Sequence, residues 1–164
     1  MKKIAKRRKR ERKTNYSKRI TLLKSGKPRL VFRKTNKHVI SQYITSEDAQ
    51  DKVIFSINSK ELLNHGWPEE GKGSLKSLTA SYLTGYLVGT KIKKQKLEQP
   101  IVDFGMLKIK YKGRIFGFLK GLIDSGLEIE CKEEAFPEEG RIKGEQLKNK
   151  IDFDKIKKSI EEAK

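Results

Sequence analysis

The first 37 residues carry 17 lysines or arginines against a single acid, Glu11, for a net charge of +16. Residues 38–127 carry a net +4 and residues 128–164 a net −2, so nearly all of the chain's +18 sits at one end. A block of like charge without internal counter-charge repels itself and stays open until a polyanion meets it. Three parts are therefore expected: a basic arm with a short helix over 1–27, a body over 28–127 and a charged extension over 128–164. The body is long enough to bury a core by itself. An apolar content of 35% against 37% charged residues fits a chain with part of its length outside that core.

Several classes are excluded early. One cysteine, Cys131, allows no internal disulfide and no multi-cysteine metal site, and only two histidines, His38 and His65, are present. No apolar run approaches the roughly 20 residues that span a bilayer. The basic start has no apolar stretch behind it, unlike a secretory signal. A cytoplasmic protein is expected, with no cofactor, no small-molecule substrate and no membrane partner. Nucleic acid is the commonest counterpart of such a charge block, and anionic membrane the next.

Periodicity gives the element order. Thr14 to Lys24 reads as a short helix with Tyr16, Ile20 and Leu23 on one stripe, capped by Thr14 or Asn15 and stopped by Gly26 and Pro28. A strand over Arg29 to Lys34 places Leu30 and Phe32 on one face and Arg29, Val31 and Arg33 on the other. Thr35 to Lys37 reads as a turn with Asn36 able to take positive φ, followed by a strand from His38 to Thr45. After a polar connection, Lys52 to Asn58 alternates through Val53, Phe55 and Ile57 as a third strand. Residues 59–74 form a long connection. Ser74 is the expected cap of a helix from Leu75 to about Lys94, with an apolar stripe through Leu75, Leu78, Tyr82, Leu83, Tyr86 and Leu87. Ile101 to Phe104 reads as a short buried strand, Lys108 to Gly113 as a basic loop, and Arg114 to Ser125 as a helix ended by Gly126. Residues 128–150 show no period, and Phe153 to Ala163 fits a short terminal helix through Ile156 and Ile160. The order β-β-β-α-β-α predicts an α/β fold with a mixed sheet, its third and fourth strands joined by a helix and favoured as a parallel pair.

Gly85 and Gly89 lie four apart in the first long helix, and Gly117 and Gly121 in the second. Each costs about 1 kcal/mol of helix stability relative to alanine. They point to a close backbone approach, either of helix onto sheet or of an RNA backbone onto the helices.

No catalytic constellation is visible. Asp103-Phe104-Gly105 copies the letters of a kinase metal-binding triplet without any of its companion motifs. Asp103 is the lone carboxylate of its strand, and the first two strands contain none, so a two-metal nuclease centre lacks its ligands. Gly71 to Ser74 lacks the spacing of a phosphate loop.

Phosphate-binding chemistry, in contrast, is abundant. Arg7, Arg8, Arg10 and Arg12 supply planar forks, and Lys6, Lys9 and Lys13 supply point charges. Lys27, Arg29 and Arg33 precede and line the first strand, while Lys34, Asn36, Lys37 and His38 cluster at the hairpin tip. Tyr16, His38 and Tyr43 offer flat faces for stacking, though Tyr43 is equally suited to a core and Tyr16 better suited to one.

The run from Tyr16 to Gln42 (YSKRITLLKSGKPRLVFRKTNKHVISQ) resembles the opening of the archaeal and eukaryotic form of the large-subunit ribosomal protein L-eighteen family. The resemblance continues at Ala80 to Gly85, Val102 to Gly105, Gly113 to Ile129 and Phe136 to Glu145, in order, across roughly residues 7 to 147. It implies a ribonuclease-H-like core without catalysis that binds 5S rRNA and also touches 23S rRNA. It places the protein at the central protuberance beside a ribosomal protein of the L-five family. The positions matching the family's RNA-contacting parts are the arm from Lys6 to Lys13, the stretch from Lys18 to Lys37 with Arg19 and Lys24, and the loop with Lys108, Lys110, Lys112 and Arg114. The length is expected to be nearer the archaeal form. The segment after about Lys148 matches nothing in the family. An RNA-processing nuclease on the same fold and a general basic nucleic-acid-binding protein are the alternatives.

Overall fold

The computed structural model describes residues 4, 6–11, 13–48, 50–146 and 151–162. Its elements are α1 (Arg7–Arg10), α2 (Tyr16–Lys24), β1 (Arg29–Lys34), β2 (Val39–Glu47), β3 (Gln50–Asn58), α3 (Leu78–Lys94), β4 (Ile101–Asp103), α4 (Arg114–Asp124), α5 (Glu139–Lys143) and α6 (Phe153–Glu162). The fold is α/β, as expected, with a four-stranded mixed sheet in the order β3-β2-β1-β4. β1, β2 and β3 form an antiparallel meander. β4 is parallel, but its neighbour is β1 rather than β3. The crossover through α3 carries the chain past two strands to the far edge of the sheet.

Alternation along β1 and β2 sets the core face. Leu30, Phe32, Val39 and Tyr43 are buried there against Val88, Phe118 and Leu122 of the helices. Tyr43 stacks on Phe55 at 5.5 Å, and its hydroxyl donates to the Glu98 carbonyl, so it is a core residue. Two expectations for the meander change. Tyr43 pairs with Phe55 but Ile44 pairs with Val53, leaving Ile54 as an extra residue. A one-residue slip moves a side chain to the opposite face. Val53 is accordingly exposed while Phe55 and Ile57 stay buried. In the hairpin, Asn36 has no positive φ. The Thr35 hydroxyl holds the turn instead, accepting from His38 N at 2.8 Å and donating to the His38 carbonyl.

The α3 helix begins one turn later than expected, capped by Ser77, whose hydroxyl accepts from Ala80 N at 3.1 Å. It is buried nearly all round, because β-strands, α4 and a third layer each cover part of it. The paired glycines explain its closeness to α4. A Cβ at Gly85 would fall well inside 3.0 Å of the Phe118 carbonyl, and one at Gly121 would overlap the Tyr82 carbonyl. The backbone approach is thus helix on helix, neither helix on sheet nor RNA on helix. The α4 helix buries Ile115, Phe116, Phe118, Leu119 and Leu122, while Ile123 is half-buried.

The third layer comes from the segment after β3 and from the terminal helix. The 3-10 turns Ser59–His65 and Glu69–Ser74 bring Leu62 and Trp67 onto α3. The terminal helix α6 adds Phe153, Ile156 and Ile160, with Ile156 and Ile160 almost fully buried. Burying each such isoleucine contributes about 2 kcal/mol. The Tyr86 hydroxyl donates to Glu161 Oε1 at 2.6 Å and fixes the rotation of α6.

Overpacking a closed interface costs about 1–3 kcal/mol, and more where backbone must move. Gly121→Ala is therefore expected to lower the urea midpoint by an amount equivalent to at least about 2 kcal/mol. Gly73→Ala, where a Cβ meets nothing within 4 Å, is the control and should change stability little. Equal midpoints for both variants would contradict the close helix contact.

Candidate nucleic-acid interface

Asn15 starts α2 by accepting from Lys18 N, and the arm folds back onto this end. Arg8 Nε donates to the Thr14 hydroxyl at 2.9 Å, and the Lys6 ammonium lies 5.0 Å from the Tyr16 ring centre. The expected apolar stripe of α2 is half-buried at Tyr16 and Leu23 only. Ile20 is exposed, while Lys18, Arg19, Leu22 and Leu23 are half-buried. The reason lies beneath the helix, where the sheet offers charge rather than a greasy surface.

That charge is a network centred on two buried groups, Arg29 and Asp103. Arg29 on β1 is 3% exposed. Its guanidinium donates to Asp51 Oδ1 at 2.6 Å and to the Ser46 hydroxyl at 3.1 Å, and stands 3.9 Å from Asp103 Oδ2. Arg19 of α2 donates to the other Asp51 oxygen at 2.9 Å. Arg33 donates to the Phe32 and Asp103 carbonyls and pairs with Asp103 Oδ2 at 3.4 Å. Gly105 N donates to the remaining Asp103 oxygen at 2.7 Å. Three arginines thus share two carboxylates. Burial pushes the Asp51 carboxyl up, but hydrogen bonds from Ser46, Arg19 and Arg29 and the Arg29 charge outweigh it and hold it below the ordinary range.

Around this network the expected site residues separate into distinct groups. Arg8, Lys13, Tyr16, Lys18, Arg19, Arg29 and Arg33 line one cleft of about 430 Å³ between the arm and the sheet. Lys34, Lys108, Lys110 and Arg114 line another of about 530 Å³. Lys6, Arg7, Lys9, Arg10, Lys24, Lys27, Asn36 and Lys37 are exposed and line neither. Arg12 lies outside the described residues. Arg29 is enclosed, so its expected direct contact with nucleic acid gives way to an organising place beneath the cleft. His38 is half-buried, and burial together with the Lys60 and Lys37 charges lowers its pKa, keeping the ring neutral near pH 7. Lys112 has φ 54 and pairs with Glu138 at 3.5 Å.

Two residues stand out that the sequence reading passed over. Tyr111, 73% exposed, lays one ring face on Phe116 at 5.4 Å and leaves the other open. Its signal was visible as alternation of Ile109 and Tyr111 with three lysines. Arg141, from α5, lines the larger cleft, and no local pattern marks it.

Unpairing a buried arginine costs about 3 kcal/mol, somewhat less where the partner is partly exposed. Asp51→Asn should therefore destabilise the fold by about 2 kcal/mol near pH 7. Because the folded-state pKa of Asp51 lies below its unfolded value, the pair's stability is fully present above the ordinary carboxylate range. It is lost as pH falls below about 4. Urea midpoints measured against pH should show a smaller acid loss for Asp51→Asn than for the wild type. Parallel curves would sink this account of Asp51.

The family model described as "Ribosomal large subunit proteins 60S L5, and 50S L18" matches residues 2–100. Large ribosomal subunit protein uL18 of Korarchaeum cryptofilum is 43% identical over 145 residues, covering 88% of this chain and 72% of the relative. The same-named protein of Methanoregula boonei is 40% identical over 144 residues, covering 88% of this chain and 80% of the relative. These matches span the arm, the meander, both long helices and the loop between them. The chain belongs to the uL18 family of large-subunit ribosomal proteins.

Proposed function

We propose that this chain is a structural RNA-binding component that holds 5S rRNA and helps attach it to 23S rRNA at the central protuberance. The L-five family ribosomal protein is its proposed protein neighbour. The observation that carries this reading is the imbalance of charge around the arm. Among the described residues, the cations before residue 38 meet only three carboxylates in ion pairs: Glu11, Asp51 and Asp103. The rest of the excess faces solvent, where phosphates are the natural counter-charge. The arm supplies affinity through counterion release. The docked α2 and the rigid β1 give that charge a fixed geometry, which suits a folded RNA better than an arbitrary polyanion.

The chain is proposed to be non-catalytic. Asp103, the carboxylate a nuclease reading would need, has its oxygens engaged by Arg33 and Gly105 N with Arg29 nearby. A cation ligand would have to displace guanidinium groups of like charge. Among the described residues no group of three or more His, Cys, Asp or Glu is placed to hold a metal. No helix among them is long and apolar enough to cross a membrane.

Binding of the full chain to 5S rRNA and to an unrelated RNA of equal length, measured by fluorescence anisotropy across salt, tests the proposal. Tighter binding to 5S rRNA is expected, with log affinity falling linearly against log salt. Replacing Arg7, Arg8 and Arg10 by glutamine should flatten that slope by roughly 2 to 3. Equal affinity for both RNAs would overturn the 5S assignment.

A further inference from the structure

The sheet ends in two edges of unequal length. β4 is three residues long, whereas β3 runs nine residues and has a strand neighbour only in β2. The outer side of β3 therefore presents a row of backbone N–H and C=O groups that no strand pairs. The middle of this edge is apolar. Val53 is 47% exposed and Ile54 42%. In a regular strand one of two neighbours would face the core. Here the irregularity at Ile54 leaves both in solvent, while Phe55 and Ile57 stay buried. Proline, lysine and bulges are the usual devices that blunt a long edge. β3 has no proline and one lysine, Lys52, and its bulge brings apolar side chains outward. Among the described residues the other exposed large apolar side chains lie on the arm, on α2 or in the basic loop, so β3 is the one strand that carries such a pair.

The charges at the two ends of β3 favour one partner. Glu47 and Asp48 stand exposed before it, and Lys60 stands exposed after it. Among the described residues none of the three takes part in an ion pair. An edge that is acidic before its start, apolar in its middle and basic past its end is complementary to itself when run antiparallel. A two-fold axis at Ile54 sets Val53 and Ile54 against the same pair of a second copy. Gln50 then faces Asn58, and the Glu47–Asp48 turn of each copy lies towards Lys60 of the other. Lys52 faces Ser56, so no like charges are opposed along the strand. A strand of another protein would have to repeat this order of charges to fit as well.

We infer that β3 is a self-docking edge, through which two copies of the free chain pair antiparallel and join their four-stranded sheets into one. The pairing satisfies the edge backbone groups and covers Val53 and Ile54. It goes beyond the RNA-binding reading and does not depend on it. One strand from each copy makes a contact at the small end of interface sizes, so weak association in the micromolar range follows. Each chain carries a net +18, and the copies repel at long range. Salt screens that repulsion, so the dimer should tighten as salt rises. Binding of a polyanion changes with salt in the opposite direction.

Sedimentation equilibrium of the full chain, freed of nucleic acid, tests this from about 1 to about 100 µM at about 0.1 M and about 0.5 M salt. A monomer–dimer equilibrium that tightens at the higher salt is expected. Val53→Lys combined with Ile54→Lys sets like charges against each other across the two-fold axis and should weaken the dimer at least roughly 10-fold. Both side chains are exposed, and equal thermal melting by circular dichroism verifies folding. As a second measurement, Ile54→Cys in a Cys131→Ser chain brings two thiols opposite each other and should give a disulfide-linked dimer on mild oxidation. Gln50→Cys in the same background leaves the thiols about 27 Å apart along the strands and should not. A mass of one chain at the highest concentration overturns the inference. A dimer indifferent to the lysine pair overturns it too, because the contact then lies elsewhere. A dimer that dissolves as salt rises marks bridging by residual nucleic acid, and growth past two copies marks open aggregation; either sinks the closed pairing. If the chain stays monomeric and hydrogen exchange along β3 slows only when 5S rRNA is added, the edge faces RNA and the inference falls while the RNA-binding reading stands.

Discussion

Arg29 is the constraint around which the basic half of the molecule is arranged. A guanidinium with 3% exposure must be paired, because an isolated charge away from water costs several kcal/mol. Its partners come from distant parts of the chain: Asp51 from β3, Ser46 from β2 and Asp103 from β4. The surplus on Asp51 is taken by Arg19, and this is what docks α2 to the sheet. A greasy contact would leave α2 free to slide. A bidentate arrangement through one carboxylate holds it at a defined place and keeps its basic residues facing outward.

The opposite face of the sheet is organised by shape rather than charge. Gly85 and Gly121 let α3 and α4 approach until backbone meets backbone. This closeness leaves α3 with an outer surface that needs cover. The 3-10 turns after β3 and the terminal helix α6 provide it, through Trp67, Ile156 and Ile160. The C-terminal extension is therefore anchored at both its middle and its end, and α5 is carried to the rim of the basic loop between those anchors.

The two halves give the molecule two kinds of cation. Arg19, Arg29 and Arg33 are partly or wholly neutralised by carboxylates and act on geometry. The lysines and arginines of the arm, the hairpin tip and the basic loop remain turned to solvent, apart from the Glu11 and Glu138 pairs. Exposed pairs of that sort contribute little to stability, generally under 1 kcal/mol. The solvent-facing cations leave their charge to be met from outside the chain, and the paired ones hold the surface that carries them.

Much of this was legible in the residues themselves. The charge partition, the strand from Arg29 to Lys34, the helix ended by Gly126 and the amphipathic terminal helix all follow from local pattern, since side-chain period and capping act within a few residues. The close backbone approach was legible as glycine spacing, but not the identity of the partner surface. Tertiary structure alone decided that Arg29 is enclosed, that Val53 turns outward through a bulge at Ile54, and that Arg141 joins Lys34 and Lys108 around one cleft. Each of these depends on atoms separated by tens of residues, and a linear pattern carries no information about which distant side chains will share a volume. Which cations would be neutralised and which left free was settled only when the carboxylates of β3 and β4 came to lie beside β1.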